Sequence, residues 1–467
     1  LRQINRKTPK ILTFLAASMM LFGPKAGGET LYGGAGQTEV SPLGAAINPA
    51  NAAFIEDLQI ELPIGMLSTT TTRMRYPGIK TYTKRSYGYE LSSLGGTEMS
   101  GGRSVTFVLK LAPWIGGSFM GFVYPGVFKT EMKNIPVYMF GQINEVDMNL
   151  KLSNLTYMKA GGGIRHGRAL GLGLNIEYID VKVGGSALPA GEGNKLFDID
   201  GKFSIMNIIG GMRMMLVPQH LYIGGTANLI SRHVLSFMPQ IGALSQSVDS
   251  EKLAESASMN QEIKQNLGQI RGGFKFIIHP LTILGEFVYD AKPSNVTTFS
   301  MSELKPISQE VSERFGIIGG GKVDLTRHFS VLGGFNYMPA RIGQGNKEEG
   351  VSGFGVLDAL MAMSGMQQLE PYYTVAGGVE LKFNRLKAQK ARSQAAQQQR
   401  DSRDEGAYYL DDSTNNENSA NRYRTIVRFG VEYRKASLGI DEAGYQPAAY
   451  EQIRLAIPIS IIHRLEW

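Results

Sequence analysis

The chain has 467 residues, with 57 glycines, 20 tyrosines, 21 phenylalanines and only 19% charged residues, a mix that suits strands with close backbones and aromatic surfaces. It contains no cysteine, which excludes structural disulfides, Cys-ligated zinc, iron–sulfur clusters and thiol nucleophiles. The net charge of +7 does not argue for nucleic acid, because Arg2, Arg6, Lys7 and Lys10 sit in a leader and more base sits in one linker, leaving no basic stripe with interleaved aromatics.

The chain opens with a basic start, an apolar run from Ile11 to Phe22 and then the small residues Ala26, Gly27 and Gly28. This pattern reads as a secretory signal peptide over residues 1–28. The run is shorter than the roughly 20 residues a helix needs to span a bilayer. No longer apolar run follows, so any membrane span has to be a closed β-barrel, the other fold that satisfies every backbone group in lipid.

Residues 29–55 form a compact Gly- and Ala-rich piece, with Gly33-Gly34-Ala35-Gly36 and later Gly44-Ala45-Ala46-Ile47-Asn48-Pro49-Ala50. The small residues, then Asn48-Pro49-Ala50 and Asn51 to Phe54, predict helical turns that need an enclosing wall to bury their apolar side. The interior of a barrel is the available wall, so this piece is expected to be a hatch.

From residue 56 to 467 the pattern has period two. Leu58, Ile60, Leu62, Ile64 and Met66 alternate with Gln59 and Glu61; Leu170, Leu172, Leu174, Ile176 and Tyr178 with Asn175 and Glu177. Val375, Val379, Leu381 and Phe383 oppose Glu380 and Lys382, and Val427, Phe429, Val431 and Tyr433 oppose Arg424, Arg428, Glu432 and Arg434. In the last segment Leu455, Ile457, Ile459, Ile461, Leu465 and Trp467 share one face, interrupted by His463. Side chains in a strand point to opposite faces, so one face meets lipid and the other a wet lumen.

Such segments fall near 56–67, 104–112, 116–128, 149–163, 169–182, 198–216, 220–236, 267–279, 281–290, 312–325, 329–341, 371–383, 423–435 and 452–467. Fourteen antiparallel strands, joined by alternately long and short connections, predict an all-β transmembrane barrel with short periplasmic turns and both termini in the periplasm. Trp114 and Trp467 then both lie at the periplasmic rim, where indoles prefer the headgroup level. Long external loops are expected near 68–103, 129–148, 183–197, 237–266, 291–311, 342–370 and 436–451. One connection breaks the alternation: residues 384–422, polar and of low complexity, are expected to be a disordered periplasmic insertion or a docking arm.

Asn48-Pro49-Ala50 after a small-residue run, directly before the first strand, resembles the FadL-type family of outer-membrane transporters for long-chain fatty acids and other hydrophobic compounds. The resemblance implies a 14-stranded barrel plugged by an amino-terminal hatch, an outer-membrane location in a Gram-negative-type bacterium, no cofactor and no enzymatic activity. It also implies lateral release through a gap near an inward kink of the third strand. That strand carries Gly121 and then Tyr124-Pro125-Gly126; proline removes a ladder donor and glycine weakens pairing, so Gly121, Pro125 and Gly126 mark either the kink or the start of a loop. Pro63 and Pro458, on the strands that close the barrel, mark a second candidate seam.

Leu357, Leu360 and Met361 make an i, i+3, i+4 apolar stripe, widened by Met363 and Met366, that suits capture of an apolar ligand or packing on the rim. Arg424, Arg428 and Arg454 on neighbouring strands either meet a ligand carboxylate or pair with Glu380 and Glu432. The expected partners are outer-membrane lipid, a hydrophobic ligand and the barrel-assembly machinery, the last through the strand ending in Trp467. Of six histidines, four fall in separate turns and no base is placed beside a nucleophile, which argues against an enzyme barrel. A non-transporting scaffold or adhesin and a polar diffusion porin are the rival readings.

Overall fold

A computed structural model describes residues 36–76, 89–90, 97–100, 105–139, 142–189, 197–241, 259–291, 296–300, 305–309, 313–339, 372–385, 423–440 and 448–465. The signal peptide, Leu357, Leu360, Met361, Met363, Met366, Trp467 and residues 386–422 of the expected insertion lie outside the described residues.

The wall strands are β1 (Leu58–Tyr76), β2 in three pieces (Tyr89–Glu90, Thr97–Ser100 and Val105–Ala112), β3 (Ile115–Met139), β4 (Gln142–His166), β5 (Leu170–Pro189), β6 (Phe197–Val217) and β7 (Leu221–Ile241). They continue as β8 in two pieces (Met259–Asn266 and Gln269–Ile278), β9 (Leu281–Asp290), β10 (Arg314–Asp324), β11 (Phe329–Met338), β12 (Tyr372–Arg385), β13 (Tyr423–Ile440) and β14 (Ala448–Leu465). The seventeen paired segments thus make fourteen strands, each antiparallel to its neighbours in sequence. β1 pairs with β14 from Leu58 opposite Leu465 to Arg75 opposite Ala449, which closes the sheet into a barrel. Apart from one irregularity between Pro63 and Gly65, that seam is paired throughout, so the prolines Pro63 and Pro458 do not open it.

The two faces of the wall sort as the alternation requires. Leu174 and Ile176 are each 56% exposed and Val431 51%, while Glu380 is fully buried and Arg428 is 7% exposed. A belt of exposed Leu, Ile, Val and Phe with ionic groups turned inward is the surface of a barrel in lipid, and the protein is an outer-membrane barrel. Among the described residues no helix is long and apolar enough to cross a membrane. The short turns lie at one end, with Trp114 exposed at the β2–β3 turn and Gly167 taking φ +61° at the β4–β5 turn, a left-handed conformation that glycine adopts without strain. His463, the polar interruption of the apolar face of β14, meets Thr425 Oγ1 of β13 at 3.0 Å through its Nδ1.

The strands outrun the alternation. Of residues 129–148, expected as an external loop, 129–139 belong to β3 and 142–148 to β4, 25 residues each, which pair as far as Met139 opposite Gln142. β1, β5, β7, β8, β13 and β14 likewise extend into the expected loops, and a separate two-stranded ribbon, Val296–Ser300 with Lys305–Gln309, forms between β9 and β10. An apolar outer face is needed only over the 9–11 residues or so that meet lipid. Backbone pairing continues beyond it with no such requirement, so a hydropathy pattern marks the membrane zone rather than the strand.

Candidate functional site: the hatch, its shelf and the wall above it

The hatch begins with α1 (Pro42–Ile47), capped by Ser41, whose Oγ accepts a hydrogen bond from Gly44 N at 3.0 Å. Asn48 ends α1 and opens a 3-10 helix over Pro49–Phe54. Its Oδ1 accepts from Ala50 N at 3.1 Å, and Pro49 in the first helical position gives up a donor that would have had no helical partner. Asn48 Nδ2 also donates to Gln37 O at 2.7 Å and to Met212 O of β6 at 2.9 Å. One fully buried side chain thus caps a helix, holds the preceding loop and ties both to the wall. Asn51 Nδ2 lies 3.1 Å from both Gly36 O and Gly44 O, folding the hatch on itself. The sequence-selected Asn48, Pro49 and Ala50 are therefore where hatch and wall meet; Pro49 and Ala50 are also buried.

What receives them is a row of glycines. Gly116 of β3 lies opposite Gly163 of β4, Gly163 opposite Gly173 of β5, and Gly173 opposite Gly211 of β6. A Cβ on Gly116 would strike the backbone of Ala52, on Gly163 or Gly173 the backbone of Pro49 and Ala50, and on Gly211 both Asn48 Oδ1 and the Pro49 ring. The barrel wall presents a flat shelf because only glycine lets two backbones approach this closely. The sequence reading missed this shelf, although its signal, glycines clustered near the periplasmic end of successive strands, is visible once the register is known.

Apolar and ionic contacts complete the dock. Val40, Ala45, Ala52, Ala53, Phe54 and Ile55 pack with Val108 of β2, and Leu43 and Ala46 with Met120 of β3. Arg213 lies 4.4 Å from the Phe54 ring and 4.7 Å from Tyr222, a cation held between two aromatic faces. Wall carboxylates take hatch amides: Glu61 accepts from Leu43 N at 3.2 Å, and Glu286 from Gln37 N at 2.7 Å and from Gly36 N.

In the other direction the hatch offers Glu39, 3.5 Å from Lys275 and 4.0 Å from Arg428. Burial by itself would raise the Glu39 pKa, but attraction to Lys275, Arg428 and Lys322 outweighs it and holds the carboxyl below its ordinary value. Arg428 Nε donates to Glu380 at 2.8 Å, Lys322 to Glu380 at 2.9 Å, and Lys382 to Asp324 at 2.8 Å. This charge network runs from the hatch to the short-turn end of β10. Of the three arginines singled out in the sequence, Arg428 is the one whose side chain is described, and it is committed to wall and hatch carboxylates. Arg424 and Arg454 lie on β13 and β14.

Above the hatch the wall is uneven. β2 pairs with β3 only as far as Val105 opposite Gly121, whereas β3 goes on pairing with β4 to Met139. The outer pieces of β2 pair instead with β1. Pro125 and Gly126 do not begin a loop: they sit inside β3 at a register shift, Tyr124 lying opposite Leu155 and Val127 opposite Ser153. Among the described residues β3 beyond Gly121 is therefore paired on one side only, with a bulge four residues on. Two of the turn histidines are occupied at the opposite rim, His220 Nδ1 3.0 Å from Ile277 O and His328 Nδ1 3.1 Å from Lys382 O.

No protein family and no curated protein sequence matches this chain. Among solved structures, a FadL homologue of Pseudomonas aeruginosa aligns over 95% of this chain and 99% of its own, with a TM-score of 0.56 and 10% identity. The fold is that of the FadL-type barrels. The toluene transporter TodX of Pseudomonas putida agrees, at a TM-score of 0.51 and 11% identity over 95% of this chain and 99% of that one. At such identities the likeness is one of fold, and the shelf, the Glu39 network and the β2–β3 discontinuity of this barrel stand on its own residues.

Proposed function

We propose that this barrel carries hydrophobic small molecules across the outer membrane, entering from the end with long connections and leaving sideways between β2 and β3 above the docked hatch. The observation that carries the reading is that, among the described residues, β3 beyond Gly121 is paired on one side only, next to the Pro125-Gly126 bulge. An apolar solute gains free energy by passing into acyl chains instead of crossing a polar exit. The hatch packs on inward-facing wall residues and ion-pairs with Lys275 and Arg428 across the lumen, which favours a wall exit over a polar diffusion pore. Capture by Leu357, Leu360, Met361, Met363 and Met366, and movement of the hatch at Asn48-Pro49-Ala50, complete the route. Long-chain fatty acids and aromatic hydrocarbons, the latter carried by the toluene transporter of like fold, are the substrate classes to try first.

The chain has no cysteine, so Ser100→Cys on β2 and Val123→Cys on β3 can be joined by thiol-reactive linkers of graded length. Uptake of labelled toluene and oleate is expected to fall to background when the two strands are bridged and to recover on cleavage of the linker. Uptake undiminished by any bridge would reject the sideways exit.

A further inference from the structure

Outward from the lipid-facing belt, the exterior of the tall strands changes chemistry. On β5 the exposed Leu172, Leu174 and Ile176 give way to Asp180 and an exposed Lys182. On β6 Met212 and Met206 give way to Ser204 and an exposed Lys202, and on β7 Ile230 is followed by an exposed Arg232. The register then sets like charges face to face, Lys182 lying directly opposite Lys202. Directly opposed like charges on one sheet face are destabilising, yet the pair is kept, with exposed Arg232 on the next strand. Asp180 lies 3.2 Å from Lys202 Nζ and still leaves that lysine side chain 54% exposed.

We propose that this basic stripe on the outside of β5–β7 binds phosphorylated glycolipid headgroups of the outer leaflet. Its position fits that occupant. Lys182, Lys202 and Arg232 follow the last exposed apolar residues Ile176, Met206 and Ile230 by six, four and two positions, roughly 7–20 Å along a strand. That is the depth of a headgroup layer, on the side of the barrel that carries the long connections. A phosphate between opposed ammonium groups replaces repulsion with charge-assisted hydrogen bonds, and adjacent strands about 4.8 Å apart let one headgroup reach both members of a pair. Clusters of Lys and Arg beside a membrane span have this use elsewhere. The stripe lies outside the lumen and does not depend on the transport route.

The test uses the full chain in detergent, titrated with bis-phosphorylated lipid A and with the same lipid after phosphatase treatment, bound lipid being counted by native mass spectrometry. Binding of the phosphorylated form is expected to exceed that of the dephosphorylated form. The triple variant Lys182→Gln, Lys202→Gln, Arg232→Gln should lose on the order of a hundredfold in affinity, about fivefold for each basic group at an anionic surface. Because these side chains are exposed, the variant should keep its heat-modifiable gel mobility, which verifies an intact barrel. Equal binding of the two lipid forms, or of wild type and a folded variant, would overturn the proposal. So would complete displacement of the lipid by millimolar inorganic phosphate, which would indicate a free-anion site.

Discussion

Replacing Gly211 with valine should release the hatch without unfolding the barrel. Valine is a good strand residue, and Gly211 pairs with Gly173 and Thr226 toward the short-turn end of β6, so the wall tolerates it. Its Cβ, however, would occupy the space of Asn48 Oδ1 and of the Pro49 ring. Asn48 has to move, and with it go the donations to Gln37 O and Met212 O and the cap on Ala50 N. Two buried hydrogen bonds at about 1 kcal/mol each and an N-cap worth about 1 kcal/mol put the loss near 3 kcal/mol of docking energy. At about 1.4 kcal/mol per tenfold, the undocked population should rise by roughly two orders of magnitude. Planar-bilayer recording should then show frequent openings to a larger conductance, and limited proteolysis should cut the hatch while the barrel core resists. Wild-type conductance together with a protected hatch in Gly211→Val would refute the claim that the glycine shelf seats the hatch.

Two further outcomes follow from the charge network. The folded-state pKa of Glu39 lies below its ordinary value, so its contribution to docking is complete above about pH 4.5 and is lost as the pH falls through the lowered pKa. Hatch protection against protease should accordingly be flat from neutral pH to about 5 and decline in stronger acid, and Glu39→Gln should remove that part of the decline; an identical acid profile in the variant would contradict the assignment. Glu380→Gln takes the carboxylate from between Lys322 and Arg428, and removing one partner of a buried ion pair costs roughly 3–5 kcal/mol. The variant should denature at visibly lower urea concentration on a heat-modifiability gel, and an unchanged midpoint would mean that the network contributes little.

Much of the architecture can be read locally because two solvents act on every residue of a membrane-crossing strand. Leu172, Leu174 and Ile176 must meet acyl chains and Asn175 and Glu177 must not, so the period-two pattern reports the barrel one residue at a time. Asn48-Pro49-Ala50 was legible for a similar reason, since a capping side chain followed by proline carries its meaning within three residues. The length of β3 and β4 was not legible, because outside lipid Lys129 and Glu131 serve a paired strand as well as a loop.

By itself the amino-acid order determined which face of each strand is apolar, that the strands number fourteen and that a small-residue segment precedes them. Tertiary structure alone decided that Gly116, Gly163, Gly173 and Gly211 fall in one row, that Glu39 reaches Lys275 across more than two hundred residues, and that among the described residues the pairing of β3 with β2 ends at Gly121. The physical reason is that these are consequences of register and closure. Every strand's offset depends on all the others that complete the cylinder, and no short window of sequence contains that sum.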